Sequence, residues 1–304
     1  MMRNEHRYKF AILGGDRRQA VIADSLISRG HRVCLYGLGD MGTGCKGAEI
    51  CSSFYKAIEK SDVIILPLPV TRNNLDLSLP SAAEETVKLA DVVKAAKKYE
   101  CKTVLGGMIP DEIMRLCEVN GISAFDYYKS EDLQRKNALP SAEGALMIAM
   151  EHTDVTVRGM KALVCGYGRI GTVLTGLLDK LGAEVSVAAR RDEALCEIAL
   201  NGYRAVRLGG DSDELRRAAE ESDVIFNTVP HVILTENILK GFTNKPLYIE
   251  VASSPGGIDL AAARDVGIRT VFAPSLPGKY SPVSAGKYIF ETISDILEKG
   301  GINI

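Results

Sequence analysis

The chain has 304 residues, of which 46% are hydrophobic and 25% charged, and its formal net charge is −2. This size and composition suit a globular chain of two domains whose core needs neither disulfides nor a structural metal. The 37 basic residues are scattered, which excludes the basic stripe of a nucleic-acid binder and the polybasic block of a membrane-surface protein.

In chain order, the polar start through His6 and Lys9 leads into the apolar run Phe10–Leu13, a predicted strand that meets Gly14-Gly15. A helix is expected over Gln19–Ser28, then Gly30 and a second strand at Val33–Tyr36. Ser61-Asp62-Val63-Ile64-Ile65 begins another strand, closed by Pro67; the surrounding apolar run, Val63 to Val70, is too short to span a bilayer. Thr103–Leu105 precedes Gly106-Gly107, and Gly121-Ile122 opens a further strand. Ser141-Ala142-Glu143-Gly144 carries a capping signature, so a linker helix is expected over 141–152. The second half repeats the first: Ala162–Cys165 meets Gly166, a helix is expected over Ile170–Leu181, and Gly182 precedes Val185–Ala188. Ser222-Asp223-Val224-Ile225-Phe226 matches the earlier Ser-Asp run, with Pro230 closing it, and Gly267-Ile268 matches Gly121-Ile122. A last helix is expected from Ala285, and 285–304 is expected to pack on the first domain.

Strands alternating with helices give a parallel sheet with right-handed crossovers. The fold class is therefore α/β, with two doubly wound Rossmann-like domains over 1–140 and 141–284, and a helical linker compatible with hinge motion. The seven cysteines (34, 45, 51, 101, 117, 165 and 196) show no C-x-x-C pair and no zinc-like spacing. They read as free thiols of a reducing cytosol, with no metal site.

Gly166-Tyr167-Gly168-Arg169-Ile170-Gly171 is a G-x-G-x-x-G turn between a strand and a helix. The first glycine allows the turn, the second a close pyrophosphate, and the third close helix packing; the helix N-terminus holds the anion. About 20 residues on, an NAD site places an acid for the ribose 2′-OH. Here Ala189 is followed by Arg190-Arg191, which suit the 2′-phosphate of NADP; as merely solvated charges they would leave NAD bound less selectively. Asn227-Thr228-Val229-Pro230, Val251-Ala252-Ser253 and Pro274-Ser275-Leu276-Pro277-Gly278 end later strands on the ligand-binding edge.

The first glycine turn reads Gly14-Gly15-Asp16-Arg17-Arg18-Gln19 and lacks the third glycine, so it is not a second NADP site. Arg17 and Arg18 beside a helix N-terminus suit an anion such as a substrate carboxylate, or are surface charge with Asp16 as a turn or cap. Among the histidines His6, His31, His152 and His231, His231 is nearest the expected nicotinamide edge and is either a general base or a polar loop residue. D-2-hydroxy-acid dehydrogenases share this two-domain layout but use an arginine in a turn comparable to Val251–Gly257 and a late histidine. Neither is present here.

The motifs together resemble the dipicolinate synthase A-subunit family. They are Gly14-Gly15-Asp16 with Arg18-Gln19, Pro140 to Gly144, Glu151-His152-Thr153-Asp154, Gly166 to Gly171, Ser253 to Gly257, Leu276-Pro277-Gly278, and Pro282 with Ala285-Gly286. The family often carries an arginine before Pro-Gly-Gly, where this chain has Ser254. The resemblance implies NADP-linked oxidation of a dihydrodipicolinate-type precursor to dipicolinate in the cytoplasm of a sporulating mother cell. It also implies a flavoprotein-like second subunit, and dehydrogenases of this layout are often homo-oligomers. Oxidising a dihydropyridine dicarboxylate gives an aromatic product, so the site needs chiefly a positioned nicotinamide, carboxylate anchors and water exclusion. Candidate anchors are Arg17, Lys279 and the hydroxyls of Ser141, Ser253 and Ser275; Glu143, His231 and Lys279 are the candidate catalytic groups. Two other readings stand beside this one: a different NADP-dependent hydroxy-acid or amino-acid dehydrogenase, and a non-catalytic nucleotide-binding subunit.

Overall fold

The apolar runs form strands because their β-branched and aliphatic residues are buried on both faces, the signature of a parallel sheet. A computed structural model describes residues 7–59, 61–80, 86–209 and 212–304; His6 lies outside them. The first half contains β1 (Lys9–Leu13), β2 (Arg32–Tyr36), β3 (Glu49–Ile50), β4 (Val63–Ile65), β5 (Thr103–Gly106) and β6 (Ser123–Asp126). The second contains β7 (Lys161–Cys165), β8 (Glu184–Ala189), β9 (Arg204–Arg207), β10 (Val224–Asn227), β11 (Leu247–Glu250) and β12 (Thr270–Phe272). The sheets are ordered β3-β2-β1-β4-β5-β6 and β9-β8-β7-β10-β11-β12, and all pairings between these strands are parallel. Each is a doubly wound sheet with the 3-2-1-4-5-6 order of dinucleotide-binding folds, the α/β class expected from the sequence.

The alternation of side chains along each central strand supplies a core on either side. In β1, Phe10 and Ile12 enter one apolar cluster while Ala11 and Leu13 enter the other. In β7, Leu163 and Cys165 enter one, Ala162 and Val164 the other. All four β1 residues are fully buried, and Phe10 and Ile12 each contribute roughly 1.5–3 kcal/mol by leaving water.

The repeated Ser-Asp motif has a structural role that is the same in both halves. Asp62 Oδ2 accepts the Lys9 N–H at 2.7 Å, and Asp223 Oδ2 accepts the Lys161 N–H at 2.8 Å. Ser61 Oγ donates to Ala57 O at 2.7 Å, and Ser222 Oγ to Ala218 O at 2.6 Å. Each motif pins the start of a central strand and the end of the preceding helix.

The chain forms two compact units: Met1–Lys136 with Ser281–Ile304, and Asn137–Tyr280. The helix expected from Ser141 begins at Glu131 and ends at His152, with Pro140 inside it. The capping signature at Ser141 therefore does not start a helix; its Oγ donates to Asn137 O at 2.8 Å in mid-helix. Pro140 has no N–H for the carbonyl of Lys136, and Lys136 is where the first unit's main segment ends. The C-terminal helix spans Pro282–Lys299 and packs on helix Arg17–Ser28. Gly286 permits the close approach: a Cβ there would stand 2.8 Å from Val21 Cβ and 3.0 Å from Arg18 O.

All seven cysteines are free thiols, and only Cys196 is exposed. The strands bring Cys34, Glu49 and Cys51 together, ligand atoms within 4.8 Å, a grouping that spacing did not indicate. Burial pushes the Cys34 thiol up to about 12. Among the described residues, no helix is long and apolar enough to cross a membrane.

Candidate functional site: the glycine turn of the second unit

The site begins at the carboxyl end of β7. Gly166 adopts φ +101° and donates its N–H to Ala188 O at 2.8 Å, which ties the turn to β8. A Cβ at Gly166 would lie 2.3 Å from Thr228 Oγ1, and one at Gly171 would lie 2.0 Å from Gly166 O. Both glycines are therefore dictated by protein packing. Gly168 is different: a Cβ there meets nothing within 4 Å, and its φ of −101° suits any residue. Protein packing leaves Gly168 unexplained. Helix Arg169–Lys180 starts here with no side-chain cap, so its first N–H groups face outward with the positive end of the helix dipole. Tyr167 turns its ring the other way, into the small core formed by Val187, Ala189, Ala194 and Ile198. Ile170 is half-buried and Arg169 exposed.

Thr228 supports the turn from β10. Its N–H and its Oγ1 both donate to Cys165 O at 2.9 Å. Val229 then lines a cavity of about 220 Å³ with Arg190, Leu208, Gly209, His231, Val232, Ile233 and Thr235. Arg190, at the end of β8, and His231, beyond β10, thus face one cavity although far apart in the chain. Pro230 is exposed. Arg191 is exposed and precedes helix Asp192–Leu200. Arg207 Nη2 pairs with Asp192, and Arg207 Nη1 reaches Arg190 O at 3.4 Å.

A buried polar cluster lies at the ends of β10 and β11. Asn227 is fully buried and Glu250 is 4% exposed. Glu250 Oε1 accepts from Asn227 Nδ2 at 2.7 Å and from the Ala252 N–H at 3.1 Å. Glu250 Oε2 accepts from Tyr248 OH at 2.8 Å and from the Gly257 N–H at 2.7 Å. Sequence reasoning picks out Asn227 but misses Glu250. The signal for Glu250 is an acidic residue closing the apolar strand Leu247-Tyr248-Ile249, shortly before Pro255-Gly256-Gly257.

Residues 9–128 match the family described as the N-terminal domain of the dipicolinate synthase A-subunit. The corresponding dipicolinate synthase protein of Bacillus subtilis (strain 168) is 30% identical over 289 residues, covering 95% of each chain. The chain belongs to the dipicolinate synthase A-subunit family. The crystal structure of the dipicolinate synthase A-subunit from Bacillus halodurans superposes with a TM-score of 0.81 at 27% identity, over 95% of this chain and 97% of that one. D-2-hydroxyisocaproate dehydrogenase, at 15% identity, shares the fold with a TM-score of 0.56 over 96% of this chain and 97% of that one.

The dipicolinate synthase motifs occupy distinct structural situations. Leu276 and Pro277 are buried, and Leu276 packs in the core with Ala142, Ala145 and Leu174. Val251 also contacts that core, Ala252 is half-buried, and Ser253 is exposed. Ser275 is exposed and holds φ +56°, a left-handed conformation uncommon outside glycine. Lys279 has its Nζ 4.8 Å from the Tyr280 ring centroid and is exposed. Its hydrogen bond with Tyr280 raises its pKa above the ordinary lysine value. Glu143 is exposed in mid-helix, well past the helix start at Glu131, and caps nothing. Ser141 is buried with its hydroxyl spent on Asn137. Arg17 is exposed at the first turn of helix Arg17–Ser28.

Proposed function

We propose that this chain is the NADP-linked dehydrogenase component of a two-subunit dipicolinate synthase, oxidising a dihydrodipicolinate-type precursor to pyridine-2,6-dicarboxylate. The observation that carries the cofactor part is Gly168: a glycine with open space around it, at an uncapped helix N-terminus, in a turn whose other glycines are explained by packing. That donor set fits a pyrophosphate. Membership of the dipicolinate synthase family supports the substrate class and a flavoprotein-like second subunit.

A bound nicotinamide would supply the hydride acceptor, with a proton released to solvent as the substrate ring becomes aromatic. The chain's own residues have simpler tasks. The amides of Gly168 and the first turn of helix Arg169–Lys180 hold the diphosphate. Arg190 supports NADP over NAD, because a guanidinium pairs bidentately with a phosphate where an NAD site has a carboxylate. Its shared cavity with His231 supports a place for that histidine at the adenosine end of the cofactor in this reading, away from proton transfer. Ser253, Ser275 and Lys279, all exposed, are candidate carboxylate contacts of the second unit, and the exposed Arg17 is a separate candidate of the first; Ser141 is not one, because its hydroxyl is already engaged. Glu143 is not a proton carrier in this reading. Aromatisation supplies driving force, so water suffices as the proton acceptor.

The test feeds the purified chain with freshly generated dihydrodipicolinate and NADP, with NAD in a parallel cell, and follows absorbance of the reduced cofactor. NADPH formation with accumulation of dipicolinate is expected. Bound NADP without reduction makes the chain a nucleotide-holding subunit whose catalysis needs its partner. Arg190→Gln isolates the cofactor assignment: the Kd for NADPH should rise about tenfold, roughly 1.4 kcal/mol, with that for NADH unchanged.

A further inference from the structure

Glu250 ends β11 at the sheet edge where the second unit carries its glycine turn. Its carboxylate is buried with four donors: Asn227 Nδ2, the Ala252 N–H, Tyr248 OH and the Gly257 N–H. None of the four is a cation. A carboxylate removed from water is costly unless its lone pairs are used. Three of these donors come from three separate turns. Asn227 begins the Asn227–Pro230 turn and also brackets Val229, donating to its carbonyl at 2.8 Å and accepting its N–H at 3.1 Å. Ala252 belongs to the turn after β11. Gly257 closes the Pro255-Gly256-Gly257 loop, and its carbonyl in turn accepts the N–H groups of Ile233 and Leu234 at 2.9 Å.

The glycines of that loop are shaped around this carboxylate. A Cβ at Gly256 would lie 2.9 Å from Glu250 Oε2, and one at Gly257 would lie 2.3 Å from Asn227 Nδ2. The Pro-Gly-Gly motif is therefore complementary to Glu250 and Asn227, and a side chain at either glycine displaces part of the cluster. Burial and the adjacent carboxylate raise the Tyr248 pKa, which keeps its hydroxyl a donor.

We infer that Glu250 is the positioning residue of the cofactor-facing edge, holding the Asn227–Pro230, Val251–Ser253 and Pro255–Gly257 turns in one arrangement through a single buried carboxylate. The inference rests on the reading of this edge as a pyridine-nucleotide site. Glutamine does not reproduce Glu250: turned one way its NH₂ group meets the Asn227 amide and the Ala252 N–H, and turned the other it meets the Gly257 N–H, where the Tyr248 hydroxyl alone can reverse and accept.

Two readouts on Glu250→Gln test this. The first is amide hydrogen exchange over residues 251–259 without cofactor, which should quicken at least tenfold while exchange in β1 and β4 is unchanged. The second is the Kd for NADPH by fluorescence, which should rise at least tenfold, with Glu250→Asp recovering part of the loss by retaining an acceptor-only group. Unchanged exchange, or faster exchange with unchanged NADPH affinity, overturns the inference. Failure of the wild-type chain to bind NADPH instead overturns the cofactor reading itself. Should Glu250→Gln not fold, Tyr248→Phe removes one donor without adding another. It should speed exchange at Gly256-Gly257 severalfold, and unchanged exchange there overturns the inference.

Discussion

In the first unit Gly14 donates its N–H to Tyr36 O at 2.8 Å, as Gly166 donates to Ala188 O at 2.8 Å in the second. Past that shared bond the two turns diverge. Gly15 gives its N–H to Ser78 O at 2.8 Å, and the segment from Leu77 to Leu79 lies so close that a Cβ at Gly14 would stand 2.5 Å from Ser78 O. Asp16 Oδ1 caps helix Arg17–Ser28 by accepting the Arg18 N–H at 3.0 Å, and its carboxylate also pairs with the buried Arg18 guanidinium. The first turn thus finds partners for its amides and its helix dipole within the protein, whereas in the second an uncapped helix meets an open glycine. One strand order and one repeated interval therefore yield a self-filled turn and an open, uncapped one. The difference lies in what covers the turn, and the sheet beneath it is alike in both.

The two turns separate most widely at the third glycine. Gly171→Ala places a methyl 2.0 Å from Gly166 O, so the helix must move. NADPH affinity should fall by a factor of about 100 or more, roughly 2.7 kcal/mol, with lower thermal stability; binding is read by fluorescence and stability by urea titration. Gly15→Ala tests the turn of the first unit at a different position, the one Tyr167 holds in the second. Its φ of +97° and contacts at 2.8 Å to Pro67 Cβ and 2.9 Å to Gln19 Oε1 should cost about 2–4 kcal/mol in the same titration, with NADPH affinity unchanged in the folded protein. Gly168→Ala distinguishes ligand from packing: stability should stay within about 0.5 kcal/mol while affinity falls about tenfold. A destabilised Gly168→Ala with normal affinity would make that glycine structural. The smallest effect probes the shared scaffold. Asp62→Ala and Asp223→Ala each lose one backbone acceptor contact and should cost about 1 kcal/mol apiece. Markedly unequal costs would show that the repeated motif is not equivalent in the two halves.

Much of this is legible in the chain. The repeat Gly14–Gly30 against Gly166–Gly182 survives as two matching strand–turn–helix–strand units with Gly30 and Gly182 both at positive φ. The turn that lacks the third glycine, at Gln19, is the one that Leu77–Leu79 covers. The start of the linker helix is not legible, because Ser141 and Glu143 imitate a cap while Pro140 suggests a break; the helix runs through both from Glu131. Leu276 looks like an edge residue because it follows a strand, yet a Cβ at Gly144 would come within 3.0 Å of it, and it packs as core.

Local periodicity, glycine spacing and the Arg190-Arg191 pair are properties of neighbouring residues. They suffice to read out two parallel α/β units, the location of the open turn and the family resemblance without any coordinates. Contacts between distant segments follow a different rule. Ser78 closing over Gly15, His231 sharing a cavity with Arg190, and Glu250 gathering donors from separate turns exist only in the folded chain. An exposed N–H, an imidazole or a carboxylate has no fixed role until folding supplies or withholds its partner.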